Sequence, residues 1–458
     1  MRVTFLDKKR VTVVGLGTSG LAAARLCLAR GAVVTLSDQS ESIFGLETLV
    51  ARGAKVLLGK GAFAEIETAE LVVLSPGVPS FPALAIAEKN GAEVVSEVEL
   101  AVRALTHQAP IVAIGGTNGK STVTSLVGEL LAHGGRRVFT GGNLGEPLSD
   151  HVDEIFDFVV LEVSSFQMER VSRFSPRVSV LLNVTPDHMD RYASIDDYAK
   201  AKGNAFVNQT PADLAVVPYG DDVCMLQASR GKARVATFGT EPGADVFVSA
   251  GQILHRGLGH SVSRDGIRLG GHHNALNVAA ALAVVMDLGI ERSAVDAVLE
   301  SFSGLAHRTA FVAEFCGARY YDDSKGTNVG ATVTALMGLV EEKAVVILGG
   351  KDKGGSYAPL VDALKKKARA AVLIGEAAPL IQSAIGDAVP IVTAKSMQDA
   401  VEKATALAKA GDAVLLSPAC SSFDMFRDYK ERGDVFTACV HALASAGTAG
   451  NVAEGKSE

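Results

Sequence analysis

With 458 residues, 48% of them hydrophobic and 21% charged, the chain exceeds what one hydrophobic core serves and has apolar material for several domains, which excludes a disordered protein. A net charge of −7 excludes a general nucleic-acid binder, so an anionic ligand must be met by local basic groups, and a small-molecule substrate is expected. Five scattered cysteines (Cys27, Cys224, Cys316, Cys420, Cys439) with no C-x-x-C pair read as reduced, mostly buried thiols, and with no secretory leader and no bilayer-length apolar run, a cytoplasmic protein without a membrane partner is expected.

Residues 11–98 alternate short apolar runs (11–14, 32–36, 71–74, 93–95) with helix-like segments such as 21–30, the pattern of a parallel sheet with crossover helices. The first run ends in Gly15-Leu16-Gly17-Thr18-Ser19-Gly20, a full G-x-G-x-x-G, and Asp38 follows the second. Glycines there let the backbone turn tightly and approach a diphosphate at a helix N-terminus. Taken alone, the motif fits a dinucleotide, any other diphosphate, or close packing of a helix on its strand.

The most informative segment follows the apolar run 111–114. Gly115-Gly116-Thr117-Asn118-Gly119-Lys120-Ser121-Thr122 leads into an amphipathic stretch, 123–133. Backbone N–H groups, a helix N-terminus and the Lys120 charge converge on an anion there, and Ser121 or Thr122 can hold magnesium. Ile114 stands where the usual phosphate loop has its first glycine, leaving a shortened G-x-x-G-K-S-T.

Core strands are expected at 158–162, 178–182 and 214–217. Glu162 closes the first of these, placed either to reach a metal at the phosphate loop or to pair with Arg170. Loop 183–192, NVTPDHMDRY, follows the second and presents His188 among acidic neighbours, as a ligand or as a structural histidine. Lys202, in a helical stretch over 198–208 beside Lys200, reads from composition as a surface lysine. Residues 241–273, rich in Gly, Ser and His, suggest small antiparallel strands or loops, and helix resumes over 275–288. Asn274 and Asn277 are three apart on one helix face, suited to capping or to bonding a base or phosphate.

From about residue 305 the alternation returns, with strands at 319–321, 344–348, 371–374, 391–392 and 413–416 forming a second doubly wound sheet. His307-Arg308, DDSKGTN (322–328), GGKDKG (349–354) and SPACSSFD (417–424) fall at or near strand carboxyl ends, where ligands collect, with a solvated rim as the alternative. The expected fold class is α/β in three domains: Rossmann-like over 1–98, a P-loop-type ATPase with a parallel sheet over 99–304, and Rossmann-like over 305–458. The small, polar tail from residue 446 is expected to fray.

In serial order from about residue 10 to 435, GTNGKST, LEVSSFQ, NVTPDHMDRY, YAKAK, HN-x-x-N, AHR, DDSKGTN, GGKDKG and SPACSSFD give a chain that resembles the Mur ligases, the ATP-dependent amino-acid-adding enzymes of peptidoglycan precursor synthesis. The G-x-G-T-S-G loop, the Ser75-Pro76-Gly77-Val78 turn and SPACSSFD resemble the branch that adds D-glutamate to UDP-N-acetylmuramoyl-L-alanine, and the DNPR signature of diaminopimelate-adding relatives is absent.

The resemblance implies that Gly17, Thr18, Ser19, Ser75, Pro76 and Gly77 meet the UDP part, with Asp38 near the uracil. It puts Asn143 and His188 by the muramoyl-alanine. ATP would be held by Gly116, Thr117, Asn118, Gly119, Lys120, Ser121, Thr122, Asn274, Asn277, Arg308, Asp323 and Lys325. D-Glutamate would be held by Thr327, Lys353, Ser421, Ser422 and Tyr429, the last standing where the family pattern leads one to expect phenylalanine. Lys120, His188, Lys202 and Lys353 are the implied catalytic residues. One magnesium would use Ser121 and Glu162, and a second His188 and Lys202, the latter as a carbamate formed with carbon dioxide. Only roughly one part in a thousand of a free lysine is neutral at pH 7, so burial or metal must favour carbamylation. A monomer is expected.

Three other readings compete. A dehydrogenase would use G-x-G-x-x-G and Asp38 but leaves the phosphate loop unexplained; a P-loop switch or transport ATPase leaves the third domain's polar clusters idle. A ligase for another amino acid or a folate-type acceptor is the nearer alternative.

Overall fold

The structure, a computed structural model, describes residues 5–269 and 271–454, for 446–454 by backbone alone. The N-terminal domain is a five-stranded parallel sheet of β1 (Arg10–Val14), β2 (Val33–Asp38), β3 (Lys55–Leu58), β4 (Leu71–Leu74) and β5 (Glu93–Ser96), in the order β3-β2-β1-β4-β5. β4 is wholly apolar, and β1 is buried from Val11 to Val14, because crossover helices cover such strands on both faces. β3 escapes sequence reading because it is a short, half-buried edge strand. Order reverses between β1 and β4, so the glycine loop and the Ser75 turn leave the sheet side by side. The helix Thr18–Ala29 starts inside the glycine motif, three residues earlier than apolar periodicity indicates.

The central sheet contains β6 (Ile111–Gly115), β7 (Val138–Gly142), β8 (Phe158–Glu162), β9 (Val178–Leu181), β10 (Leu214–Pro218), β11 (Arg234–Gly239), β12 (Val246–Val248), β13 (Gln252–His255) and β14 (His260–Ser263). Its order is β14-β13-β12-β11-β10-β9-β6-β8-β7, with β6 between β8 and β9. β12, β13 and β14 pair antiparallel, as the composition of 241–273 suggests. β7 and β11 are not legible in the sequence: β7 ends in Gly141-Gly142, which reads as a turn, and β11 is half exposed.

These two domains fall in one compact unit comprising the chain up to Val184, Asp196–Arg268 and Leu276–Phe302. A buried core runs from Leu6 and Val11 through Val98 and Leu100 to Phe139, Val159 and Ala205 without a break between them. Arg25 pairs with Asp150 at 2.6 Å, Arg30 with Asp153 at 2.7 Å and Arg170 with Glu88 at 2.6 Å. Buried Glu97 accepts the Ser149 N–H at 2.9 Å.

The second unit comprises Thr185–Ile195, Leu269–Ala275 and the chain from Ser303. It is built on β15 (Ala310–Phe315), β16 (Ala318–Asp322), β17 (Ala344–Gly349), β18 (Ala368–Ile374), β19 (Ile391–Thr393) and β20 (Ala413–Leu416), in the order β15-β16-β20-β17-β18-β19. Val346 and Leu348 enter the core on one face of this sheet, and Val345 and Ile347 the core on the other, the period-2 alternation of a strand covered twice. Only β15, an edge strand with none of its residues buried, runs antiparallel. The helix Tyr429–Glu454 carries the backbone through most of the segment expected to fray; residues 455–458 lie outside the described residues. Among the described residues no helix is long and apolar enough to cross a membrane. Of the five cysteines, Cys27, Cys224 and Cys420 are buried as expected, and Cys316 is exposed.

Candidate active site

The phosphate loop leaves β6 with Gly116 and Gly119 at φ of 142° and 87°, conformations that favour glycine, and enters the helix Lys120–His133 with Ser121 and Thr122 buried in its first turn. Asn183, just past β9, holds the loop in shape. Its Oδ1 accepts the N–H groups of Thr117 and Asn118 at 3.1 and 2.9 Å, and its Nδ2 donates to the Asn118 carbonyl at 3.1 Å. Lys120 Nζ donates to the Thr117 carbonyl at 2.8 Å. The Asn277 side chain closes the far side, with Oδ1 2.5 Å from where a Cβ on Gly119 would stand.

Lys202 is 5% exposed, on the helix Ile195–Gly203, which ends sooner than the expected 198–208. Its Nζ donates to the Gly116 carbonyl at 2.8 Å and lies 4.3 Å from the centroid of the Tyr198 ring. The surface lysine that composition suggests is therefore a buried lysine at the phosphate loop, whereas Lys200 is exposed. Glu162 ends β8 in register with Ile114 of β6, one strand from the loop, and is 2% exposed. Asn143 Nδ2 donates to its Oε1 at 2.6 Å. Arg170, the alternative partner for Glu162, pairs instead with Glu88. A buried carboxylate beside a phosphate loop, with Ser121 in the helix's first turn, is a donor set of hard oxygens that fits magnesium.

In the C-terminal unit the loops after β16, β17 and β20 interlock. Asp323 accepts the Thr309 N–H at 3.1 Å and the Ser417 hydroxyl at 2.6 Å, and burial, opposed by Ser417 and Arg308, pushes its carboxyl up to about 7. Arg432 is 2% exposed and donates to the Ser324 hydroxyl (2.9 Å), the Ser324 carbonyl (2.8 Å) and the Cys420 carbonyl (3.2 Å), while burial lowers its pKa to about 10. Lys325 Nζ stands 3.9 Å over the Tyr429 ring. Lys353 Nζ lies 3.4 Å from Thr327 Oγ1 and 3.6 Å from Asp187 Oδ1, and Asn328, which caps the helix Val329–Gly338, donates to Asp187 Oδ2 at 3.0 Å. Thr327, Lys353 and Asp187 thus form one polar group.

Six non-glycine residues among those described have left-handed backbones, and four of them, His188, His307, Thr309 and Ala419, belong to or adjoin these polar loops. Such conformations cost about 1–3 kcal/mol each and concentrate at functional sites.

At the switch point of the N-terminal sheet, Asp38 accepts the Leu16 N–H at 2.7 Å and the Ser40 N–H at 2.8 Å. Burial works against its charge, but these backbone donors outweigh it and hold the carboxyl below its usual range. The Ser75 hydroxyl donates to the Gly15 carbonyl at 2.6 Å, so both side chains brace the glycine loop, with Gly17 capping the helix that carries Thr18 and Ser19.

Three family descriptions match consecutive parts of the chain: the Mur ligase MurD-like N-terminal domain over residues 9–96, the Mur ligase middle domain over 114–285, and the Mur ligase glutamate ligase domain over 307–420. The UDP-N-acetylmuramoylalanine--D-glutamate ligase of Geotalea daltonii is 43% identical over 449 residues, 95% of this chain and 98% of that protein. The chain belongs to the Mur ligase family. The ligase of the same name from Trichlorobacter lovleyi is also 43% identical, over 96% of this chain and 100% of its own length. Among solved structures, the UDP-N-acetylmuramate-alanine ligase MurC of Thermotoga maritima shares the fold with a TM-score of 0.61 at 19% identity, over 95% of this chain and 100% of that one. The MurF ligase of the same organism, in complex with ADP, also gives 0.61, at 17% identity over 96% and 97%. Mur ligases form amide bonds at the expense of ATP, so the dehydrogenase and simple ATPase readings of the motifs fall away.

The structure brings together what the Mur ligase motifs scatter along the chain: Lys120, Ser121, Glu162, Asn277 and Lys202 around one loop, and Asp323, Thr327, Lys353 and Ser422 at the carboxyl edge of another sheet. Half-buried His273 precedes Asn274, and desolvation, reinforced by His272 and Arg308, lowers its pKa. Ser421 turns its hydroxyl to the Lys351 carbonyl at 3.0 Å, a tie between loops. Sequence reading misses Asn183, Asp187, Asn328 and Arg432. Presence inside polar runs at strand ends marks the first three and nothing marks Arg432, which lies on the helix Tyr429–Glu454, because their work is to hold other residues.

Proposed function

We propose that this Mur ligase adds D-glutamate to UDP-N-acetylmuramoyl-L-alanine through an acyl phosphate, in the cytoplasmic synthesis of peptidoglycan precursors. The observation that carries the reading is identity of 43% to D-glutamate ligases over nearly the whole of both chains. The polar group formed by Thr327 and Lys353 agrees with it, because an acceptor with two carboxylates needs cationic and hydroxyl partners.

The phosphate-loop N–H groups and Lys120 hold the ATP phosphates, and Asn277 and the Asn183 clamp keep that loop rigid. The L-alanine carboxylate attacks the γ-phosphorus, ADP leaves, and the carboxyl carbon becomes electrophilic as the acyl phosphate. The neutral amine of D-glutamate adds to that carbon, and phosphate departs from the tetrahedral intermediate. Lys353, Thr327 and Ser422 orient the acceptor through its carboxylates; Arg308, Asp323 and Lys325 serve the nucleotide. Ser121 and Glu162 would hold one magnesium, and for the second the family resemblance names His188 and carbamylated Lys202. Magnesium held by these residues would neutralise charge gathering on the transferred phosphoryl group.

Phosphate release with UDP-N-acetylmuramoyl-L-alanine, ATP and a panel of amino acids tests the reading. Release with D-glutamate is expected; release with L-lysine or diaminopimelate alone would reject the acceptor assignment. For Lys202, a ¹³C-bicarbonate-derived carbamate resonance is expected in the wild type and not in Lys202→Ala. Full activity of that variant would dismiss the carbamate.

A further inference from the structure

The loops that carry Lys353 and Ser422 hold one another. Lys351 N–H donates to the Ser421 carbonyl at 2.9 Å, and Ser421 N–H to the Lys351 carbonyl at 3.0 Å. A further tie runs through a side chain to which none of the roles above is given. Tyr357, immediately before the helix Ala358–Lys367, is 6% exposed within the core on one face of the C-terminal sheet. Its hydroxyl donates to Asp352 Oδ1 at 2.6 Å and lies 3.3 Å from Cys420 Sγ.

A phenol has one proton, and here the carboxylate takes it, so the thiol is the donor to the phenol oxygen. Burial pushes the Cys420 thiol up to about 11, which keeps that proton in place at neutral pH. The second oxygen of Asp352 accepts the Gly354 N–H at 2.9 Å. Hydrogen bonds therefore pin the residues on both sides of Lys353, with Asp352 as the anchor and the phenol as its link to the SPACSSFD loop.

A phenylalanine would fill the same core volume, and a buried hydroxyl is costly unless bonded, so the hydroxyl's contribution lies in the tie. Lys353 has a long, flexible side chain, and its aim depends on the backbone that carries it.

We propose that Tyr357 is a positioning residue for the acceptor amino acid: its hydroxyl, held between Asp352 and Cys420, fixes the loop that aims Lys353 at an acceptor carboxylate. The inference rests on the D-glutamate reading.

Tyr357→Phe keeps the ring and removes the tie. Loss of one such bond is expected to raise the KM for D-glutamate about five- to tenfold while leaving the KM for ATP and for the UDP-sugar substrate within about twofold. Asp352→Asn keeps the Oδ1 acceptor for the phenol but loses the acceptor for the Gly354 N–H, so it should show a smaller rise than Asp352→Ala, which should repeat the defect in full. If Tyr357→Phe fails to fold by circular dichroism, the Asp352 pair still decides. An unchanged D-glutamate KM in the folded variants, or a rise shared equally by all three substrates, overturns the proposal. If the wild type shows no D-glutamate-dependent phosphate release, the acceptor reading fails instead, and the KM split is then measured with whichever amino acid supports release.

Discussion

Gly119→Ala places one methyl group where the phosphate loop has no room. At φ 87° and ψ −20° the backbone is left-handed, which costs about 1–2 kcal/mol for a residue with a Cβ. The new Cβ would stand 2.5 Å from Asn277 Oδ1 and 3.1 Å from Leu182 Cδ1, so the Asn277 carboxamide must move. Asn277 is 8% exposed, and displacing a buried polar group from its partners adds about 1–3 kcal/mol. Since 1.36 kcal/mol is tenfold in rate, a combined penalty of about 2–5 kcal/mol lowers kcat/KM for ATP by about 30- to 5,000-fold. Gly135→Ala is the control. It too is left-handed, at φ 79°, but its Cβ would meet nothing within 4 Å. It should cost stability and leave ATP kinetics near wild type. A coupled ADP-release assay with a thermal melt of both variants reads the difference. Gly119→Ala within about threefold of wild type in kcat/KM for ATP would refute the argument from loop geometry.

Other predictions follow from buried charge. Glu162→Gln keeps the shape and the Asn143 contact but removes the charge, so kcat should fall by about 100-fold or more with little loss of melting temperature, as steady-state kinetics at saturating magnesium would reveal. Arg432→Lys cannot reproduce three separated hydrogen bonds and leaves a buried cation poorly paired. Denaturant melts should show a loss of about 2–4 kcal/mol, and a loss below about 0.5 kcal/mol would count against the tie it makes between Ser324 and Cys420.

Asp323 supplies a pH signature. Its folded pKa of about 7 lies above its ordinary 3.8. Between those values the unfolded chain releases the proton and the folded chain keeps it, so this group makes stability fall as pH rises, with no further change above the upper value. Asp323→Asn should remove that slope, so its melting temperature gains on the wild type from pH 5 to pH 7. Parallel profiles would contradict the assignment.

Strand–loop–helix order made the three sheets legible, because a buried parallel strand is a run of Val, Ile, Leu and Ala, and glycine or polar residues end it. β3 and β15 stayed hidden because edge strands need only half that pattern, and β11, though flanked by β10 and β12, because most of its residues are not buried. The same limit governs the site. Gly119 and Lys120 show in sequence because anion binding restricts which residues fit. Lys202 does not, since only the fold decides that its amine is buried against the Gly116 carbonyl while Lys200 faces water. Asn183, Tyr357 and Arg432 act on neighbours 66, 63 and 108 residues away in sequence, and spacing alone carries no trace of so distant a partner.

The central claim is that this Mur ligase activates a carboxylate by phosphorylation before the amine arrives. UDP-N-acetylmuramoyl-L-alanine labelled with ¹⁸O in both oxygens of its alanine carboxylate tests it directly. After turnover with ATP and D-glutamate, one label should appear in inorganic phosphate and the other in the new amide carbonyl. Unlabelled phosphate accompanying amide formation would contradict the acyl-phosphate route.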